Sequence, residues 1–551
     1  MPTPSSIGSF VTEEDATAYH AAGYWSATET LPARLRRHAI ERADHLAVVD
    51  DLGGQLTYAQ LHEQSDKLAA ALAARGVGPG DVVGVQLPNQ VEAVVAPAAV
   101  EKLGAIVCPM VTPYRERELA HNIAKTSMKF LFAPGYYRGF DHDALSRKLL
   151  ADHESLHTVV TLTPGVDEPS YASFGTFVDR GDPIGFAWPE LDPDAVTAVL
   201  FTSGTEADPK GTLHTHNTLL ANVRTLEIDL AMGPDDGVFM ASPLGHGTGY
   251  GFGTRLAGYL GSTLSLLGIW DPARAARMLA DYGAAYTHGA TPFVLDLLSL
   301  PDIKEYDFSG LRYFVTGGAT VPPNTATRVN ELLGCKLLRL YGQTEGFMIT
   351  LSRVDDPPAA VELSDGHPVR GTEIRALDDD GELAAPGVPG ICEYRGPHRC
   401  VGFLDDPVRE AASYIHGWFR SGDLVSIAED GAVTVAGRTK EVINRGGYKY
   451  SPREIEDILA GHPDVERIAV VRMDDPRLVD RACAFVVPRP GRQPTLDGLV
   501  TYLRAHGVAS FKWPERLEVV AEFPMTVSGK IRKVELEQRL RSHESDSRTG
   551  E

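Results

Sequence analysis

Cysteine is scarce in this 551-residue sequence, with five residues at Cys108, Cys335, Cys392, Cys400 and Cys483. Their spacing matches no metal-ligand pattern, and an odd, scattered set is no disulfide framework. Each reads as a small buried hydrophobe in a reducing cytoplasm, the expected location. No run of about 18 apolar residues occurs, which excludes a membrane-spanning helix. The opening stretch MPTPSSIGSFVTEEDATAYH has neither a basic nor an apolar region of the secretory kind, so no signal peptide is expected. Positive charge is in deficit, with 52 Lys and Arg against 74 Asp and Glu, a net charge of -22. Such a surface repels nucleic acid and anionic membranes, so no nucleic-acid partner is expected. Gly-Lys-Ser/Thr is missing as well, which excludes the Walker phosphate loop. Neither a credible triad nor a nucleophilic cysteine motif is present, and there is no internal repeat.

What is present is a packed chain, 43% hydrophobic and 23% charged, long enough for three or four folding units. Thr57-Tyr58-Ala59-Gln60 opens a helix as a capping box, with Leu61, Leu68 and Leu72 on one face and Gly76 as its stop. Buried strands are expected at Val82–Leu87, Ala195–Phe201, Val238–Leu244, Leu264–Leu267, Leu311–Val315 and Leu337–Leu340. Several of them end in glycine-rich turns, which indicates layered α/β subdomains with functional residues at strand C-termini. After about residue 360, closely spaced glycines punctuate short alternating runs and suggest a small antiparallel, barrel-like module. Beyond Gly437-Arg438-Thr439-Lys440 a smaller α+β unit is expected, opening on a second capping box at Ser451-Pro452-Arg453-Glu454. The boundaries read as 1–437 and 438–551.

Five segments carry chemistry. Thr202-Ser203-Gly204-Thr205-Glu206-Ala207-Asp208-Pro209-Lys210-Gly211 offers hydroxyls, freed backbone N–H groups and an ammonium, as a polyphosphate requires. Tyr341-Gly342-Gln343-Thr344-Glu345-Gly346 places an aromatic face, a hydroxyl and a carboxylate suited to Mg²⁺ in one turn. Gly417-Trp418-Phe419-Arg420-Ser421-Gly422-Asp423 sets a carboxylate after glycine in a turn, suited to a ribose diol. Gly437 to Gly447 and Pro524 to Ile531 complete the series.

In that order, over residues 25 to 540, these segments resemble the adenylate-forming superfamily of acyl-CoA synthetases, peptide-synthetase adenylation domains and luciferases. The resemblance implies a large N-terminal α/β domain and a smaller, mobile α+β C-terminal domain. It implies ATP, Mg²⁺ and coenzyme A as cofactors. Thr202, Ser203, Gly204, Thr205 and Lys210 would hold the β- and γ-phosphates. Gly317, Gly318, Ala319 and Thr320 would line the adenine and the end of the acyl pocket, with Tyr341, Gly342 and Gln343 flanking the adenine. Thr344 would touch phosphate and Glu345 would bind the metal. Asp423 would take the ribose hydroxyls, with Arg438 beside it. Lys530 would bridge the substrate carboxylate and the α-phosphate. Lys440 would be the hinge of a domain rotation that exchanges Lys530 for the Gly447 face, past which a pantetheine thiol reaches the acyl group. Lys449 would contact phosphate before that rotation. The family's second loop threonine and following glycine are replaced here by Glu206 and Ala207, which removes a hydroxyl donor.

Tyr19 to Trp25, Leu87-Pro88-Asn89, Gly135 to Asp141 and Ile443 to Gly447 resemble one branch. It holds cyclohexanecarboxylate–CoA ligases, fatty acyl-CoA synthetases and siderophore aryl-acid adenylating enzymes. In the last group an asparagine follows the histidine of the fourth core motif; here glycine follows His246, which disfavours a dihydroxybenzoate. His246 is expected at the pocket wall as a gate, with Thr248, Gly249, Tyr250, Gly317, Phe347 and Met348, so the substrate is expected to be an apolar cyclic, aryl or medium-length carboxylic acid. His214 and His216 resemble a metal pair but read as residues packed beside the following helix. The expected function is an AMP-forming carboxylic acid–CoA ligase. Two alternatives stand beside it: an adenylating enzyme that loads a carrier-protein phosphopantetheine, and a catalytically silent nucleotide-binding protein. The oligomeric state stays open between monomer and homodimer.

Overall fold

A computed structural model describes residues 10–201, 209–318, 321–446, 448–475, 477–525 and 531–548. Two large sheets share one core. The first runs, side by side, His367–Pro368, Thr350–Leu351, Lys336–Tyr341, Tyr313–Gly317, Ala284–Gly289, Gly237–Met240, Leu264–Leu266, Leu46–Asp50 and Gln55–Thr57. Its six central strands, from Lys336–Tyr341 to Leu46–Asp50, are parallel. The second runs Gly402–Phe403, Gly211–Thr215, Val196–Phe201, Ile106–Pro109, Val82–Val85, Phe130–Ala133, Thr158–Thr161 and Tyr171–Ser173. The six expected strands are present: four are shorter than expected, Tyr313–Gly317 is shifted by two residues, and Lys336–Tyr341 is longer. Val82–Val85 and Gly237–Met240 stop before Pro88 and Pro243, which cannot donate to a ladder.

The helix between Val82–Val85 and Ile106–Pro109 is buried because its sequence is apolar on nearly every side. In Glu92–Lys102 nine of eleven residues are buried, and a helix apolar all round needs partners on all sides. Val95 and Ala96, together with Leu68 and Ala69 of the helix Tyr58–Ala73, form one cluster with Val83 and Phe130 of the second sheet and Val238 and Val315 of the first. The capping box at Thr57 is formed, with the Gln60 carboxamide accepting from the Thr57 N–H at 2.8 Å. The one expected at Ser451 is not: the Ser451 hydroxyl caps the Arg453 N–H, but Glu454 pairs with Lys512 at 2.7 Å instead.

The third sheet is antiparallel and comprises Glu373–Leu377, Gly390–Arg395, Trp418–Ile427, Tyr414–Ile415 and Val433–Arg438. Trp418–Ile427 pairs with three of the others, and among the described residues no pairing closes the sheet into a ring. A fourth sheet draws only on residues 443–519. It has its own core of Ile443, Ile455, Leu459, Val470, Leu499 and Leu503. The turn Thr439–Glu441 connects the third sheet to the fourth. Among the described residues no helix is long and apolar enough to cross a membrane.

Candidate active site

Four neighbouring parallel strands of the first sheet deliver the candidate residues at their C-terminal ends. Lys336–Tyr341 leads into Gly342 to Met348, Tyr313–Gly317 into Gly318, Ala284–Gly289 ends beside His288, and Gly237–Met240 leads to His246. The carboxyl edge of a parallel sheet is where α/β folds place ligands.

The turn after Lys336–Tyr341 is tightly built. A Cβ on Gly342 would stand 1.6 Å from the Phe347 carbonyl oxygen, so only glycine fits there. Phe347 adopts φ 49°, a sparsely populated conformation for a bulky residue and one that accompanies functional sites. Its N–H bonds to the Gln343 carbonyl at 2.6 Å. His214 holds the turn from outside, with Nε2 donating to the Thr344 carbonyl at 2.8 Å. Burial pushes the His214 pKa down to about 4, so the ring is neutral at pH 7. The second sheet thus fixes the position of Thr344 and Glu345. Sequence reasoning placed His214 as packing, which it is, but missed this positioning contact.

Lys210 comes from the hairpin between Val196–Phe201 and Gly211–Thr215. This loop joins two antiparallel strands, unlike a Walker loop, which opens a helix. Lys210 Nζ meets Glu345 Oε1 at 2.5 Å and lies 4.7 Å from the Phe403 ring centroid. The cation expected at the phosphates and the carboxylate expected at the metal are therefore adjacent. Thr202, Ser203, Gly204, Thr205, Ala319, Thr320, Gly447 and Lys530 lie outside the described residues.

Asp423 was expected in a turn; it lies instead within the strand Trp418–Ile427. The strand is irregular there: Gly422 has φ 80° and the register slips between Leu424 and Val425. The Asp423 N–H is taken by the Ser421 hydroxyl at 3.1 Å, an irregularity that aims the carboxylate inward. Asp423 is buried, with Oδ1 3.1 Å from Arg438 Nε and Oδ2 accepting from the Tyr341 hydroxyl at 2.6 Å. The Asp423 charge raises the Arg438 pKa still further. Tyr341, expected beside the adenine, thus holds the carboxylate expected at the ribose. The Gln343 Nε2 is buried and has no hydrogen-bond partner among the described residues.

Phe347 packs against Gly247 at 3.6 Å from its ideal Cβ position and against Gly251 at 2.6 Å, and edge-on to His214 with ring centroids 4.9 Å apart. Phe252 joins this wall, 4.7 Å from the His288 ring and 6.1 Å from Phe347. Met348 is fully buried. The His246 ring accepts the Thr248 N–H at 3.2 Å and so caps the short helix Gly247–Gly249. Gly317 abuts the Leu340 carbonyl and Gly249 the Pro243 carbonyl, so both are glycine for backbone clearance. Tyr250 departs from expectation: its hydroxyl and ring engage the buried Glu101 and Arg255, and it serves the interior. Gly251, Phe252 and His288 were missed. A glycine followed by an aromatic on a π-helical turn, Tyr250–Arg255, carries no signal in sequence periodicity.

Two further expected residues lie apart from this group. Lys449 pairs with Asp379 at 2.9 Å on the surface, and Lys440 sits in the connecting turn Thr439–Glu441. The five cysteines are free and buried. Among the described residues no group of three or more metal-ligating side chains occurs.

Residues 35–404 match the AMP-binding enzyme model and residues 454–530 match the AMP-binding enzyme C-terminal domain. The chain belongs to the AMP-binding enzyme family. It is 35% identical over 523 residues to the medium-chain fatty-acid–CoA ligase of Escherichia coli K12, covering 95% of this chain and 92% of that one. It is 33% identical over 549 residues to the salicyl-AMP ligase/salicyl-S-ArCP synthetase of Mycobacterium tuberculosis, covering 97% and 95%. Among solved structures, ATP-bound MatB from Rhodopseudomonas palustris superposes with a TM-score of 0.83 at 26% identity, covering 93% and 99%. The anthranilate CoA ligase AuaEII shares the fold at a TM-score of 0.85 and 22% identity, covering 95% and 99%. Membership of this AMP-forming acid–thiol ligase family brings ATP, Mg²⁺ and coenzyme A as the reactants and cofactors.

Proposed function

We propose that this AMP-binding enzyme is a carboxylic acid–CoA ligase acting on an apolar cyclic, aryl or medium-length acid. The observation that carries the reading is that Tyr341, at the carboxyl end of a parallel strand, meets Asp423, itself paired with Arg438 in the third sheet, while Glu345 just after that strand meets Lys210 of the second sheet. In the first step a carboxylate oxygen attacks the α-phosphorus of ATP and the bond to pyrophosphate breaks. Both reactants are anionic, so fixed positive charge must lie between them. Lys530 is the residue proposed to supply it. Asp423 would hold the ribose and Lys210 the outer phosphates. Mg²⁺, held by Glu345, would neutralise phosphate charge when bound. The Lys210–Glu345 pair supports this assignment, because it keeps a cation and an anion mutually satisfied until phosphate and metal arrive.

In the second step the coenzyme A sulfur attacks the acyl carbon and AMP leaves. We assign the hinge between units 1–437 and 438–551 to Lys440. The support is that its turn joins two sheets with separate cores. Gly447 would then face the thiol. A second reading, acyl transfer to a carrier protein, is favoured by the likeness to a salicyl-S-ArCP synthetase.

The test is pyrophosphate release from ATP across a panel of acids, with and without coenzyme A. Sustained, acid-specific release that requires coenzyme A supports the ligase. A single burst unaffected by coenzyme A selects the carrier reading. Lys530→Ala should abolish acyl-AMP formation yet leave acyl transfer from supplied acyl-AMP largely intact; survival of both half-reactions would remove the role given to Lys530.

A further inference from the structure

His288 is the residue of the acyl wall whose chemistry an apolar substrate would not use. It is the penultimate residue of the strand Ala284–Gly289, at the carboxyl edge of the sheet, and is 5% exposed. Tyr286 lies two residues earlier on the same face, fully buried. Its hydroxyl meets His288 Nδ1 at 3.5 Å and has no other hydrogen-bond partner among the described residues. A hydroxyl buried in that way donates to the ring nitrogen it faces. Burial also keeps the imidazole neutral, and a charge on His246 would disfavour its protonation further. A neutral ring whose Nδ1 accepts must carry its proton on Nε2.

The ring packed against His288 is apolar. Phe252 stands 4.7 Å from the His288 ring, and Phe347 lies beyond it. Ser242 touches only the His288 backbone carbonyl, at 3.3 Å. Among the described residues nothing accepts the Nε2 proton. A donor with no acceptor in the protein is left for one that a ligand supplies. We infer that His288 is a specificity-determining residue: its Nε2–H donates to an oxygen on the acyl portion of the substrate, so the acid taken is an oxygenated cyclic, aryl or chain acid and not a pure hydrocarbon one.

This inference rests on the acid–CoA ligase reading and narrows its substrate class. It also gives His288 a role distinct from that of His246, whose ring is engaged in capping Gly247–Gly249.

The experiment compares pairs of acids with one carbon skeleton, with and without a ring, keto or hydroxyl oxygen. Acyl-CoA formation is measured with the intact enzyme, His288→Leu and His288→Gln. The unmodified enzyme should favour the oxygenated member of the best pair at least tenfold in kcat/KM. His288→Leu should erase that ratio. His288→Gln, which keeps a donor, should restore part of it and serves as the check should the leucine variant fold poorly. Equal ratios in all three enzymes, or a preference of the unmodified enzyme for the hydrocarbon member, would overturn the inference. Binding of the paired non-hydrolysable acyl-sulfamoyl adenosines, followed by calorimetry, separates the two levels of the argument. Discrimination in binding without any acyl-CoA formed would leave His288 in its role and defeat the ligase reading. Acyl-CoA formation without discrimination would do the reverse.

Discussion

Replacing Asp423 with asparagine tests the nucleotide site at one atom pair. The carboxylate is 5% exposed in its side chain, held by Arg438 Nε at 3.1 Å and the Tyr341 hydroxyl at 2.6 Å. Asparagine keeps the shape, and its amide can donate to the Tyr341 oxygen. Arg438 is half-exposed, so losing its partner costs little. Folding stability should therefore fall by no more than about 1 kcal/mol. The ligand effect is larger. A hydrogen bond to a charged group is worth about 1.5–3 kcal/mol, and two ribose hydroxyls lose the charge while one also loses its acceptor. About 3 kcal/mol, or about 150-fold in the KM for ATP, is expected. The assay is ATP–pyrophosphate exchange with ATP, 2′-deoxy-ATP and 3′-deoxy-ATP. The unmodified enzyme should discriminate against each deoxynucleotide about tenfold or more, and Asp423→Asn should lose that discrimination. An asparagine variant that still separates ATP from both deoxynucleotides as the parent does would refute the assignment of Asp423 to the ribose.

Gly251→Ala would set a Cβ 2.6 Å from the Phe347 ring and force it into the acyl site; kcat/KM for the bulkiest accepted acid should fall at least tenfold with the smallest spared, and an equal loss across the panel would count against this wall. Arg255→Met would leave Glu101 buried without its cation and should cost about 3–5 kcal/mol in denaturant unfolding, a loss below about 1 kcal/mol being the contrary result. His214 and His398 are fully buried, and burial lowers their pKa values to about 4 and about 3. The unfolded chain protonates first as pH falls below about 6.5, so stability declines from there down to the folded pKa, by about 1.4 kcal/mol per pH unit for each group. His398→Gln should flatten that slope by one such increment between pH 6.5 and 5, and an unchanged slope would show that His398 is not held neutral.

The resemblance was legible because its motifs are local. Glycine, hydroxyl, carboxylate and lysine stand at fixed offsets in turns that follow buried strands, and turn chemistry is written in adjacent residues. Tyr341, Glu345 and Asp423 were assigned without coordinates for that reason. The apolar runs likewise showed where six strands of the first two sheets lie, because a strand buried on both faces has no polar alternation to hide it. The errors have equally local causes. Asp423 after Gly422 reads as a turn, since a glycine at φ 80° inside a strand bulge has the same composition as a turn. Ser451 and Glu454 have the letters of a capping box, but Lys512, 58 residues later, attracts the glutamate.

The sequence by itself determined the family-like order of the motifs, the α/β layering, the acidic surface and the identity of the groups able to handle phosphate, ribose and metal. Only the tertiary structure decided which groups meet. Lys210 reaches Glu345 across two sheets, Tyr341 reaches Asp423 across 82 residues, and His214 holds the Thr344 carbonyl across 130. It also decided that Tyr250 faces Glu101 and Arg255 while Gly251, Phe252 and His288 gather at the acyl wall. The physical reason is that periodicity specifies which residues of one element are buried, whereas the partner of a buried polar group is chosen by the packing of elements distant in the chain.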